Sequence, residues 1–125
     1  MLGDNDAIAT LAVKDLTAAR KFYEEVLGLK LAHAVGSEAL TFKTGRTELV
    51  VYRSQYAGTN QATALNWRVG AELEAVVETL RSKGVVFERY DLPGLTQKGD
   101  IHAFGEFKSA WFKDPDGNII ALMSS

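Results

Sequence analysis

The sequence predicts an α+β fold in which one plan, a strand followed by a helix and further strands, is used twice. Three observations predict it. The first is a weak internal repeat: Ala9-Thr10-Leu11-Ala12-Val13 leads into a helical stretch closed by Gly28, and Leu65-Asn66-Trp67-Arg68-Val69 leads into another closed by Gly84. Val13 to Gly28 and Val69 to Gly84 have the same spacing, so the segments superimpose without a gap. Self-similarity at a fixed offset marks a duplicated unit. The second is that apolar residues recur at helical steps before each glycine and in short strand-length runs after it. The third is the punctuation of those runs by glycine-bearing turns.

The elements follow in order. Residues 8–13 form a short apolar run suited to a buried strand. Asp15 or Thr17 is placed to cap the next helix by accepting a hydrogen bond from its free N–H groups. Ala19, Phe22, Tyr23 and Val26 give that helix one apolar face. Gly28 then sits where a helix C-terminus favours a left-handed residue. Strands are predicted at about 29–35, 39–43 and 48–53, with Thr44-Gly45-Arg46 as a tight turn. In the second half Leu73, Val76, Val77 and Leu80 form the helix face, and strands are predicted at about 85–90, 108–113 and 118–123. Asp114-Pro115-Asp116-Gly117 is a hairpin turn, because proline presets one backbone angle and glycine takes the positive one. The stretch 53–61 reads as a linker, and 91–107, rich in glycine and polar residues, as a long covering loop. Residues 1–125 then form one domain with modules at 7–53 and 62–123. Half the chain would bury too little surface to stand alone, so the halves are expected to share a sheet.

Bulk properties exclude several classes of function. A formal charge of -2 leaves no basic face for nucleic acid. The absence of cysteine rules out disulfides, thiolate metal sites and a cysteine nucleophile. The acidic start Met1-Leu2-Gly3-Asp4-Asn5-Asp6 lacks the basic and apolar regions of a secretory signal. No apolar run approaches the roughly 20 residues needed to span a bilayer. The expectation is a cytoplasmic protein with neither a nucleic-acid nor a membrane partner.

Val13-Lys14-Asp15-Leu16, Phe22-Tyr23 and Leu27-Gly28-Leu29 together resemble the opening signature of the vicinal oxygen chelate superfamily. Trp111-Phe112-Lys113-Asp114-Pro115-Asp116-Gly117-Asn118 resembles its closing signature. The resemblance covers residues 7–123. It implies two βαβββ modules forming a curled mixed sheet around a cavity, the glyoxalase/bleomycin-resistance fold, commonly as a homodimer. The superfamily spans glyoxalase I, extradiol dioxygenases, methylmalonyl-CoA epimerase, fosfomycin-modifying enzymes and bleomycin-binding resistance proteins, and a fold does not choose among them.

Enzymes of this superfamily hold a divalent ion that polarises a substrate with adjacent oxygens. Carried onto this sequence, their ligand positions fall at Ile8, Val50, Ala64 and Ala121. None of these side chains can donate an electron pair, whereas such a site requires His, Glu, Gln or Asp. No metal and no cofactor is therefore expected. His33, on a predicted strand, and His102, in the predicted loop, lack a defined third ligand. Glu38, Glu48 and Glu106 read as solvated surface groups, with Glu106 alternatively reaching the cavity.

Strand side chains alternate between faces, so the cavity-facing set follows by counting in twos from those positions. The count gives Thr10, Ala12, Tyr52, Asn66, Arg68, Ile119 and Met123, with Ser109 and Trp111 on the strand before the turn and Leu40 and Phe42 on the third strand. This mostly apolar set with a few polar groups has the composition of a small-molecule site. Arg68 is suited either to an anionic or carbonyl-bearing ligand or to a structural ion pair. Trp111 is either a stacking wall or core, and Trp67 points the other way into the core. Tyr52 and Tyr56 either bond a ligand or line a dimer seam. Two functions fit: a metal-free binding protein that sequesters an aromatic or oxygenated ligand, or a lyase, dioxygenase or epimerase-type enzyme acting on a small oxygenated substrate.

Overall fold

The computed structural model describes residues 1–124 and divides into two compact units, Met1–Thr59 and Asn60–Ser125. The first contains β1 (Ala9–Val13), α1 (Leu16–Lys21) running into a π-helical turn (Phe22–Val26), β2 (Lys30–Val35), β3 (Ala39–Thr44) and β4 (Thr47–Arg53). Asp15 is the residue that caps α1: the backbone N–H of Ala18 donates to its Oδ1 at 3.1 Å. Gly28 ends the helical stretch at φ +76°, a value a side chain would resist. The strands order as β1-β4-β3-β2, with β1 parallel to β4 and the other pairs antiparallel. Leu11, Val13, Leu40, Phe42, Leu49 and Val51 are buried on one face of this sheet. There they meet Ala19 and Tyr23 of the helical stretch, and the Tyr23 and Phe42 rings lie 5.8 Å apart.

The second unit contains β5 (Thr63–Arg68), α2 (Leu73–Ser82), β6 (Phe87–Glu88), β7 (Thr96–Lys98), β8 (Ile101–Phe104), β9 (Phe107–Lys113) and β10 (Ile119–Met123). Its order is β5-β10-β9-β8-β7, with β6 added alongside β9. The α2 face Leu73, Val77 and Leu80 is buried, as are Ala110, Phe112, Ile120 and Leu122 of the sheet. Phe87 packs edge-on against Phe112 at 5.7 Å.

The repeat extends to strand register. Thr10 lies opposite Val50 in the parallel pair of the first unit, as Asn66 lies opposite Ala121 in the second. In each unit the first strand therefore pairs in parallel with the last strand of its own half. That pairing corrects one expectation: the halves do not share a hydrogen-bonded sheet but form a four-stranded and a six-stranded one. Two further expectations are corrected. The strand expected at 85–90 shrinks to Phe87–Glu88, and the loop expected at 91–107 contains the β7–β8 hairpin. Thr96, Gln97 and Lys98 are polar and exposed, so an edge strand stood there without an apolar signature.

The Asp114-Pro115-Asp116-Gly117 turn is held by the buried Asp114 carboxylate. Its Oδ1 accepts from the N–H groups of Asp116 (3.0 Å) and Asn118 (2.8 Å), and its Oδ2 from Asn118 Nδ2 (2.9 Å). Gly117 takes φ +90°. No helix of the described residues is long and apolar enough to cross a membrane.

Candidate functional site

Alternation places the residues of interest on the sheet faces that turn away from the helices. In the first unit, cross-strand pairing puts Thr10, Val50, Thr41 and His33 in one row and Ala12, Tyr52, Ala39 and Val35 in the next. Tyr52 is 41% exposed. Leu40 and Phe42 do not belong to this face. Leu40 pairs with Val51 and Phe42 with Leu49, both on the helix side, so the expectation that these two line the cavity face is corrected. A one-residue difference in register moves a whole strand's side chains to the other face.

In the second unit the corresponding face carries Asn66, Ala121, Trp111 and Glu88 in one row, and Arg68, Met123, Ser109 and His102 in the next. Six of the predicted site residues thus lie on helix-free faces, Thr10 and Tyr52 in one unit and Asn66, Arg68, Ser109 and Trp111 in the other. Arg68 and Asn66 are exposed, and Arg68 has no carboxylate partner among the described residues. Glu88, in the row of Trp111, is already paired with Lys113 at 3.2 Å. The Trp111 ring is half-buried and its Nε1–H donates to Thr63 Oγ1 at 3.2 Å. Trp67 lies on the opposite face, opposite the buried Leu122.

Sequence reasoning missed His102 as part of this face. The β7–β8 hairpin carries it beside Trp111, with ring centroids 5.0 Å apart, and Tyr90 completes the aromatic group at 6.0 Å from His102 and 5.4 Å from Trp111. The backbone N–H of Tyr90 donates to His102 Nε2 at 2.8 Å. Burial pushes the Tyr90 phenol above its ordinary value, and Glu88 adds to the effect, so the hydroxyl stays a donor at neutral pH. The signal that could have found His102 is the run Ile101-His102-Ala103-Phe104, four residues of strand length bounded by Gly99 and Gly105.

The hairpin is fastened at its turn. Asp100 accepts from Arg81 Nη2 at 2.6 Å and from Arg89 Nε at 3.0 Å, and Arg81 also meets Glu78. The hydrogen bond from Arg81, then that from Arg89, holds the Asp100 carboxyl below the usual carboxylate range against the opposing cost of burial. A depressed folded pKa contributes stability that is complete above the unfolded value of about 3.9 and disappears as pH falls through the folded value. Asp100→Asn is therefore expected to lower the melting temperature at pH 7. The gap from the parent should close only below about pH 4; a gap unchanged down to pH 2 would mean the charge of Asp100 is not what the hairpin uses.

The residues at the superfamily's ligand positions do not fit a divalent ion. Ile8, Val50, Ala64 and Ala121 offer hydrocarbon only, and a hard cation needs oxygen or imidazole donors. Among the described residues no group of three or more His, Asp or Glu is arranged to hold a metal. Glu38 is exposed and pairs with Arg53 at 3.1 Å, and Glu106 is exposed in the turn between β8 and β9. Two open concavities lie within the first unit. One of about 740 Å³ is lined by Lys14, Thr17, Arg20, Leu40 and Arg53 among others. Another of about 610 Å³ runs past Ile8, Lys43 and Arg46. Arg20 and Arg53 are already paired with Glu24 and Glu38, which leaves Lys14 as the cation of the first concavity without an ion pair among the described residues.

Residues 6–122 match the sequence pattern of the Glyoxalase/Bleomycin resistance protein/Dioxygenase superfamily. Among solved structures, the chain is similar to a glyoxalase family protein from Enterococcus faecalis, at 22% identity and a TM-score of 0.74, covering 98% of this chain and 99% of that one. It is also similar to a lactoylglutathione lyase from Agrobacterium tumefaciens (19% identity, TM-score 0.71, covering 95% and 92%). A third similarity is to the fosfomycin resistance protein FosX from Listeria monocytogenes (16% identity, TM-score 0.72, covering 100% and 94%). A point variant of that FosX is described in complex with Mn(II) and a dihydroxypropylphosphonic acid.

Proposed function

The chain belongs to the Glyoxalase/Bleomycin resistance protein/Dioxygenase superfamily, and from that premise we propose that it is a metal-independent receptor that sequesters a small, planar, oxygenated molecule. The observation that carries the proposal is the replacement of every expected metal ligand by Ile8, Val50, Ala64 and Ala121, while an aromatic and donor-rich face persists around Trp111. The Lewis-acid chemistry that the superfamily resemblance implies requires an ion at those positions. An apolar wall with a few polar groups requires only that a ligand fit it. Trp111 supplies an aromatic wall, for which stacked or edge-on contact with a planar ring adds about 0.5–1.5 kcal/mol beyond its area. Arg68, with its forked donors and no carboxylate beside it, suits a carboxylate or another anionic oxygen on that ring. In this reading the protein acts in the cytoplasm, and it acts as a homodimer, the second of these being what the superfamily resemblance implies.

Two measurements test it together. Elemental analysis of untagged protein is expected to find no stoichiometric metal, and added Mn(II), Zn(II) or Ni(II) to leave the melting temperature unchanged. A panel of aromatic carboxylates is expected to raise that temperature. A ligand at a hundredfold excess over its Kd adds about 2.7 kcal/mol, which is a shift of several degrees for a chain of this size. One tightly held ion per chain would sink the proposal in favour of a metal-dependent enzyme.

A further inference from the structure

His102 is the most buried polar side chain on the face that carries Trp111 and Arg68, at 1% exposure. Its Nε2 accepts the N–H of Tyr90, so that nitrogen carries a lone pair and the ring proton sits on Nδ1. Nδ1 is buried and has no hydrogen-bond partner among the described residues. Leaving a donor buried and unbonded costs about 1–3 kcal/mol. Native structures rarely tolerate that without a reason.

No neighbouring group among the described residues bonds Nδ1, the buried Ser109 across the strand included. The ring is flanked by the faces and edges of Tyr90 and Trp111, and its cross-strand neighbour is Ser109. The two ring nitrogens point away from each other, so Nδ1 is turned away from the Tyr90 backbone. Along the same row lie Ser109, Met123 and Arg68. Arg68 is a charged donor of this face without a carboxylate partner among the described residues. Three strand spacings separate Arg68 from His102, about 14 Å between their backbones.

We infer that His102 is a ligand-binding residue, and that its Nδ1–H takes an uncharged oxygen acceptor at the end of the ligand opposite the anionic group held by Arg68. The inference rests on the receptor reading above and narrows the ligand class. The ligand is a planar ring system with a carboxylate at one end and a carbonyl at the other, lying across Trp111. Nδ1 is covered, so the acceptor reaches it as the half-buried Tyr90 ring beside it swings aside, Tyr90 lying in the irregular segment between β6 and β7.

The test uses two near-isosteric probes, 4-acetylbenzoate and 4-isopropylbenzoate, which share the carboxylate and differ in the carbonyl oxygen. Calorimetric titration of the parent protein is expected to show about a tenfold preference for 4-acetylbenzoate, the worth of one hydrogen bond. His102→Met leaves a thioether, a weak acceptor with no N–H donor, in place of the ring; it is expected to bind both probes alike. In the parent, the His102 Nδ1–H proton resonance should move with 4-acetylbenzoate and stay in place with 4-isopropylbenzoate, a reading that needs no substitution. If the parent binds both probes equally, or the variant keeps the tenfold preference, the role of His102 is overturned while the receptor reading stands. If neither probe is bound and the wider carboxylate panel also fails, both fall.

Discussion

Phe42→Ala is expected to lower the free energy of unfolding by about 3–5 kcal/mol, the cost of emptying a buried aromatic site, measured by urea denaturation. Phe42 has 0% of its surface exposed and meets the Tyr23 ring from the helical stretch above it. Its neighbours across the strands, Leu31 and Leu49, lie on the same face. Truncation would leave a cavity between sheet and helix that these residues are too constrained to fill. The transition midpoint should fall while the denaturant slope holds, since the surface exposed on unfolding changes little. A loss below about 1 kcal/mol would mean that the ring is not part of the helix-side core, and would restore it as a wall of the opposite face.

Asp114→Ala is expected to cost about 3 kcal/mol. The carboxylate is buried and accepts three hydrogen bonds, two of them from backbone N–H groups, and each buried donor left behind costs about 1–3 kcal/mol. The turn sets the pairing of Trp111 with Ala121, so the register of the candidate site depends on it. Asp114→Asn retains one carbonyl oxygen and should lose roughly half as much. Equal losses for the two variants would show that charge, rather than the pattern of acceptors, holds the turn. Chemical denaturation of both variants under one set of conditions separates the cases.

Much of this architecture was legible because local chemistry and tertiary structure agree. Gly28 and Gly84 close their helical stretches with positive φ, and Asp15 caps the first of them. The repeat of Val13–Gly28 in Val69–Gly84 carries through to matching strand register. Counting in twos placed Thr10, Tyr52, Asn66, Arg68, Ser109 and Trp111 on the helix-free faces. It failed on β3, because the offset between β3 and β4 depends on the hairpin joining them and not on either strand alone. Leu40 and Phe42 therefore went to the wrong side. His102 escaped for a different reason. The edge strand beside it, Thr96–Lys98, is polar throughout, and the hydrophobic pattern that reveals a strand is absent where no face is buried.

The break in pairing between Leu31 and His33 has a consequence for how the molecule behaves in a crowd. β2 is the outermost strand of its sheet, and Ala32, Ala34 and Val35 stand open to solvent along it. A straight ribbon of that composition would invite another chain to add on and start a growing fibre. The irregularity bends the ribbon and interrupts its row of free amide and carbonyl groups, and Lys30 places a charge at its entrance. Protection against polymerisation is thus written into the backbone of the rim, with the Lys30 side chain adding to it.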